Sequence, residues 1–167
     1  MKHAFLCALL LLLSVLAYAN PMWQTDVVVR DGQDLHYYGS PARDSFGNVL
    51  SAWIKTTQGR HMLFANLYQP NGTALWDYPI LVQNSVQPVE NLELHTSSDN
   101  CFILSWFEMG IQTGSQIKLQ KLSSSGLPLW GDGITVVTER IQTYYEYSLA
   151  VDDQGGASYS TNRIMAV

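Results

Sequence analysis

Asp44 to Trp53 reads DSFGNVLSAW, and Ser97 to Trp106 reads SSDNCFILSW. Gly47 aligns with Asn100, and each is followed six residues later by a tryptophan, Trp53 or Trp106. Glycine and asparagine enter the left-handed backbone region at the least cost, so the aligned pair predicts the same tight turn. Further on, Gly72 precedes Trp76 by four residues and Gly126 precedes Trp130 by four, and Val82 and Val136 follow those tryptophans by six. A third copy opens at Asp152-Asp153-Gln154-Gly155. Trp23 stands 24 residues before Gly47, just as Trp76 stands 24 before Asn100, and Val29 follows Trp23 by six. The chain thus repeats every 53 to 55 residues, a period typical of stacked supersecondary units.

Within each unit the pattern is of strands. Val49 to Lys55, Met62 to Tyr68 and Cys101 to Phe107 are short runs rich in β-branched and aromatic residues. Between them lie Gln58-Gly59, Pro70-Asn71-Gly72, Ser123-Ser124-Ser125-Gly126 and Asp152 to Gly156, which supply the turn residues. No stretch after the first twenty residues sustains apolar spacing at three and four. CFILSWF, at 101–107, is apolar on both faces, which predicts a strand covered by two layers. Ile117, Leu119 and Leu122 alternate better and predict a strand nearer an edge. The reading is an all-β chain of antiparallel four-stranded blade-like repeats, a partial β-propeller, with a β-sandwich as the alternative. Its parts are the tail of one unit at 20–43, units at 44–96 and 97–151, and a truncated unit at 152–167.

The first segment, MKHAFLCALLLLLSVLAYA, places Lys2 and His3 before an apolar run and Ala17-Tyr18-Ala19 before Asn20-Pro21. That is the pattern of a secretory signal peptide over 1–19, cleaved after Ala19, and the apolar run is short for a span of about 20 residues. Cleavage removes Cys7 and leaves Cys101 as the sole thiol, so no internal disulfide is expected and stability must come from the core. Of the 167 residues, 47% are apolar and 14% charged, and the net charge is −5. This balance excludes nucleic acid as a partner and excludes a disordered tail.

The unit D-x-x-G-N-x-L-x-A-W at 44–53, followed by a strand and by L-x-x-x-G-x-x-L-W, resembles the repeat of large secreted β-propeller-like proteins of Cloacimonas-type and Bacteroidetes-related bacteria. Those proteins carry several such blades after a signal peptide, and a C-terminal sorting domain for type IX secretion. The resemblance covers Trp23 to about Ala157 and implies a secreted or cell-surface protein without implying a reaction. Two features depart from it. Ser97 and Asn100 stand where the pattern has Asp and Gly, and no sorting domain is present, so the sequence is read as an N-terminal piece of a longer protein.

The sequence offers no catalytic, cofactor-binding or metal-ligating set. Trp53, Trp106, Trp23, Trp76 and Trp130 recur at repeat positions and are expected to fill the space between blades, a sugar-stacking platform being the alternative. Asp44 and Asp152 precede their turn glycines by three, one residue longer than the Asp-box of sialidases, and are expected to bond their own turns. The Asp152–Gly156 stretch has too few oxygen ligands for a calcium loop. Glu90, Glu93 and His95 form a polar cluster ahead of Asp99, but strand alternation sends Glu90 to the opposite face from Glu93 and His95. His36, His61 and His95 are scattered, and the zinc spacing H-E-x-x-H is absent. Glu108 and Asp132 are two distant carboxylates of the kind a glycosidase uses, with nothing in the sequence to mark them. Asn71-Gly72-Thr73 is formally a glycosylation acceptor and reads as a turn, and Tyr144-Tyr145-Glu146-Tyr147 reads as core and rim of a strand. The expected role is a secreted non-catalytic scaffold or binding module whose partner is a glycan or a cell-surface protein, with part of a carbohydrate-active enzyme as the alternative.

Overall fold

A computed structural model of the chain describes residues 35–110, 114–137 and 146–162. The leader 1–19, Trp23, Val29, Tyr144, Tyr145 and the last residues 163–167 lie outside the described residues. The described residues are strands and turns. The first sheet comprises β1 (Leu35–Tyr38), β2 (Ala42–Arg43), β3 (Val49–Thr57), β4 (Arg60–Tyr68) and β5 (Ile80–Ser85). The second has β6 (Val89–Thr96), β7 (Phe102–Glu108), β8 (Gln116–Leu122) and β9 (Ile134–Val137), in that order across the sheet. The third pairs β10 (Glu146–Val151) with β11 (Ala157–Asn162). Every pairing is antiparallel.

β1 and β2 pair with successive stretches of β3, so they are one strand interrupted before Pro41, which has no amide hydrogen to give a ladder. With that strand counted once, the first two sheets are four-stranded repeats of one design, and the chain is all-β with blade-like units. The sequence units begin at the first turn of each sheet, at Asp44 and Ser97. Each sheet therefore takes its first strand from the unit before it: β1 and β2 come from the 20–43 tail, and β6 from the 44–96 unit.

The turns explain the period. At Asp44, Gln69, Ser97, Ser123 and Asp152, the amide of the first residue donates to the carbonyl four residues on, and the amide of the fourth donates back to the first carbonyl. The fourth residue has positive φ each time: Gly47, Gly72, Asn100, Gly126 and Gly155, at 85°, 84°, 57°, 85° and 75°. Asn100 makes the same turn as the glycines because asparagine tolerates this region, as the aligned sequences require.

The packing separates serial stacking from a two-layer sandwich. In β7, Phe102, Leu104 and Trp106 face the first sheet in one core cluster with Leu50, Ile54, Leu63 and Leu67. Ile103 and Phe107 face the other way, against Leu149 and Val151 of β10. None of these five β7 side chains is more than 5% exposed, and each is worth roughly 1.5–3 kcal/mol when buried. A sheet so covered on both faces is the middle member of a stack. β8 differs from its expected place near an edge: β9 pairs along its outer side, and Ile117, Leu119, Gln120, Lys121 and Leu122 are all buried.

Trp76 and Trp106 fill the junction between the first two sheets as expected, whereas Trp53 lies on the other face of β3. Trp106 is buried between the first two sheets, Trp53 stacks on Phe64 at 6.0 Å, and Trp76 donates its indole N–H to Ser124 O at 3.0 Å across the sheets. The turn that receives Trp76 sits hard on it. A Cβ built on Gly126 would run into Ile80 Cδ1 and lie 3.2 Å from the Trp76 ring. A Cβ on Gly59, at the β3–β4 hairpin, would meet nothing within 4 Å. Gly59→Ala is therefore expected to cost about 1–3 kcal/mol from left-handed strain alone. Gly126→Ala should cost more, because Ile80 must swing its Cδ1 methyl aside and the Trp76 ring must give way as well. Equilibrium urea unfolding of the two variants checks this, and equal losses would show that the turn does not seat on Trp76.

Candidate functional site

Most of the carboxylates singled out in the sequence are engaged by the fold. Asp44 Oδ1 accepts the amides of Phe46 and Asn48 at 2.9 and 2.8 Å, and Asp152 Oδ1 accepts those of Gln154 and Gly156 at 2.9 and 2.7 Å. Both acids thus bond their own turns. In the middle copy Ser97 holds that place, and Asp99 accepts the Cys101 amide on Oδ1 at 3.3 Å and Lys121 Nζ on Oδ2 at 2.8 Å. The hydrogen bond from Lys121, with a second from Ser97, holds the Asp99 carboxyl far below the usual carboxylate range. Lys121 itself is buried and also donates to Gly155 O at 2.9 Å, so one ammonium ties the second sheet to the turn of the third.

Glu90, Glu93 and His95 do not divide between faces as alternation predicts. A bulge lies between Glu90 and Glu93, with Asn91 at φ 51°, so Glu90 stands opposite Phe107 and Glu93 opposite Ser105. The extra residue resets the parity and brings all three to the face that looks at the third sheet. Glu93 Oε2 lies 3.5 Å from His95 Nε2 and accepts the Leu149 amide at 3.3 Å, so it serves as a strut to β10. His61 Nδ1 pairs with Thr56 Oγ1 at 3.0 Å on the β3–β4 hairpin, and His36 lies in β1. Burial, followed by the charge of Asp99, pushes the Cys101 thiol up, away from the reactive thiolate. Among the described residues, no three His, Cys, Asp or Glu side chains converge as a metal site.

Glu108 and Asp132 end in different settings. Glu108, at the end of β7, reaches across to the first sheet, where Ser85 Oγ donates to Oε1 at 2.8 Å and Gln83 Nε2 donates to Oε2 at 3.1 Å. Lys118 Nζ lies 3.0 Å from the same Oε2. Burial pushes this carboxyl up, but the hydrogen bonds from Lys118, Ser85 and Gln83 outweigh it and leave the group below its ordinary value. A cavity of about 120 Å³ adjoins it, lined also by Gln87 and Gln116. Asp132 is exposed on the loop between β8 and β9, at the rim of a larger groove of about 390 Å³.

That groove runs between the outer strand of the first sheet and the second sheet. Ile80, Leu81 and Gln83 of β5 form one wall; Gln120 and Leu122 of β8, with the 128–132 loop, form the other. Gln120 pins the loop: its Nε2 donates to Gly131 O at 2.8 Å, and its Oε1 accepts the Trp130 amide at 3.2 Å. The Leu129 amide also bonds Lys121 O at 2.7 Å. The loop is thus held before any ligand arrives. Sequence reading named Asp132 alone of these residues as a candidate for chemistry, because Gln83 and Gln120 belong to one site only once two sheets are laid side by side.

No protein-family model matches the chain, and no characterised protein matches it in sequence. Among solved structures the chain is similar to an endo-arabinase from Bacteroides thetaiotaomicron VPI-5482, with a TM-score of 0.53 and 12% identity. The match covers 83% of this chain and 55% of that one, so the described fold spans about half the length of the enzyme. At this identity the likeness is one of fold.

Because folding lowers the Glu108 pKa, the unfolded chain binds more protons than the folded one as the medium turns acid. The stability that Glu108 contributes is therefore complete above the unfolded glutamate value of about 4.3 and drains away below it. Tm measured against pH should fall more steeply below that point for the native chain than for Glu108→Gln. Parallel curves would show that the buried network does not hold the ionised carboxylate.

Proposed function

We propose that this is a secreted, non-catalytic repeat module that acts as a scaffold or binding domain outside the cytoplasm. The observation that carries the reading is the use to which its acids are put. Asp44 and Asp152 cap turns, Glu93 braces β10, Asp99 pairs with the buried Lys121, and Glu108 is held by three side-chain donors. A general acid or nucleophile needs a carboxyl left free for the substrate, and these are engaged by partners within the protein. The address rests on the 1–19 segment, and the preferred partners are a glycan or a cell-surface protein, met by a preformed surface on stable strands.

A carbohydrate-active reading is the second possibility, favoured by the groove beside Asp132 and by the fold likeness to an endo-arabinase. It requires a second carboxyl in reach of Asp132, and Glu108 would have to leave Gln83, Ser85 and Lys118 to provide one. One measurement tests the address and a second separates the readings. Expressed in a Gram-negative host, the chain should be recovered outside the cytoplasm with Asn20 as its first residue, and cytoplasmic retention with Met1 in place would sink the proposed address. Incubation with arabinan and chromogenic arabinosides should yield no product above a Glu108→Gln, Asp132→Asn control, whereas turnover lost in that control would establish the enzyme reading.

A further inference from the structure

We propose that the groove between β5 and the 128–132 loop is a binding site for a neutral saccharide, with Asp132 and Gln83 as its polar contacts. The inference rests on the reading of the chain as a binding module and assigns that module its site and ligand class. Its volume of about 390 Å³ lies in the range of small-ligand sites.

The unspent hydrogen-bonding groups define the ligand. Glu108 is ionised and accepts from Gln83, so the amide nitrogen of Gln83 must face Glu108. The amide oxygen is then left toward the groove as an acceptor without a partner among the described residues. The Asp132 carboxylate likewise has no hydrogen-bond donor among the described residues and stands exposed at the rim. Gln120 is different, because its oxygen already accepts from Lys121 N and Trp130 N and its nitrogen donates to Gly131 O. It is a support for the loop. The open groups are thus acceptors on opposite walls, which call for hydroxyl or amine donors on the ligand.

Charge and shape narrow the choice. None of the lining side chains is basic, so phosphate, sulfate and uronate have no counter-charge, and the net charge of −5 repels polyanions. An ammonium would find a single exposed carboxylate, which in water is a weak hold. Between the acceptors lie Ile80, Leu122 and Pro128, with Pro128 exposed on the loop. Hydroxyls that donate to both walls, on a ring whose C–H face lies on these apolar side chains, match the groove. The Gln120 braces fix the loop in advance, so little ordering is needed on binding.

The test uses the full chain and isothermal titration with short neutral arabino-, xylo- and manno-oligosaccharides, alongside oligogalacturonate and spermidine. At least one neutral oligosaccharide should bind, and Asp132→Ala and Pro128→Ala should each weaken it about tenfold or more, some 1.4 kcal/mol, with Tm little changed. Asp153→Ala, on an exposed turn outside the groove, should bind as the native chain does. Neutral binding that survives both groove substitutions overturns the site and leaves the module reading standing. Tighter binding of spermidine or oligogalacturonate overturns the ligand class. Absence of binding to every probe overturns the proposal, and a secreted, catalytically silent chain would then retain only the scaffold role.

Discussion

A strand that is apolar on both faces must be covered twice, and this requirement on β7 organises the molecule. Phe102, Leu104 and Trp106 need one sheet, while Ile103 and Phe107 need another. No single four-stranded unit satisfies them, so the units are stable only as neighbours. Serial stacking follows from that residue pattern, and so do the tryptophans that fill the junctions. The small share of charged residues, 14%, has the same origin, since a unit buried on two faces has little surface to give to charge.

Four of the polar contacts between sheets follow the period of the sequence. Thr96 donates to Arg43 O across 53 residues, Ser45 N to Asn100 Oδ1 across 55, Ser98 to Asp153 O across 55, and Leu149 N to Glu93 across 56. Equivalent turns lie side by side, so each turn places groups against the next copy of itself. Lys121 shows how the design accommodates change. Where the middle copy has Ser97 in place of aspartate, Asp99 accepts the Cys101 amide of the turn on one oxygen and an ammonium from β8 on the other. A buried lysine with both an ionised partner and a carbonyl to bond is one the interior tolerates.

The groove arises from the geometry of this stacking. β5, the outer strand of the first sheet, and the 128–132 loop of the second face one another and form its two walls. Gln83 belongs to both environments, with its nitrogen committed to Glu108 and its oxygen left over. Structural and binding roles are thereby joined in one amide, so the buried carboxylate sets which atom of Gln83 the groove presents.

The strand pattern, the repeat, the turn positions and the double burial of β7 were all legible in the amino-acid sequence, because each rests on local chemistry. Positive φ demands Gly or Asn, alternation reports a covered face, and tryptophan at a fixed distance from a turn marks a junction. Tertiary structure decided what local rules do not encode. The bulge at Asn91 changed which face carries Glu90, and β9 turned β8 into an internal strand. Gln83, Gln120 and Asp132 became one site because residues some 40 to 50 positions apart were brought to the same rim. Sequence periodicity reports how a residue relates to its own strand. Which residues of two sheets face one another depends on how those sheets dock, and that is settled by the packing of Trp76, Ile80 and Gly126 across the junction.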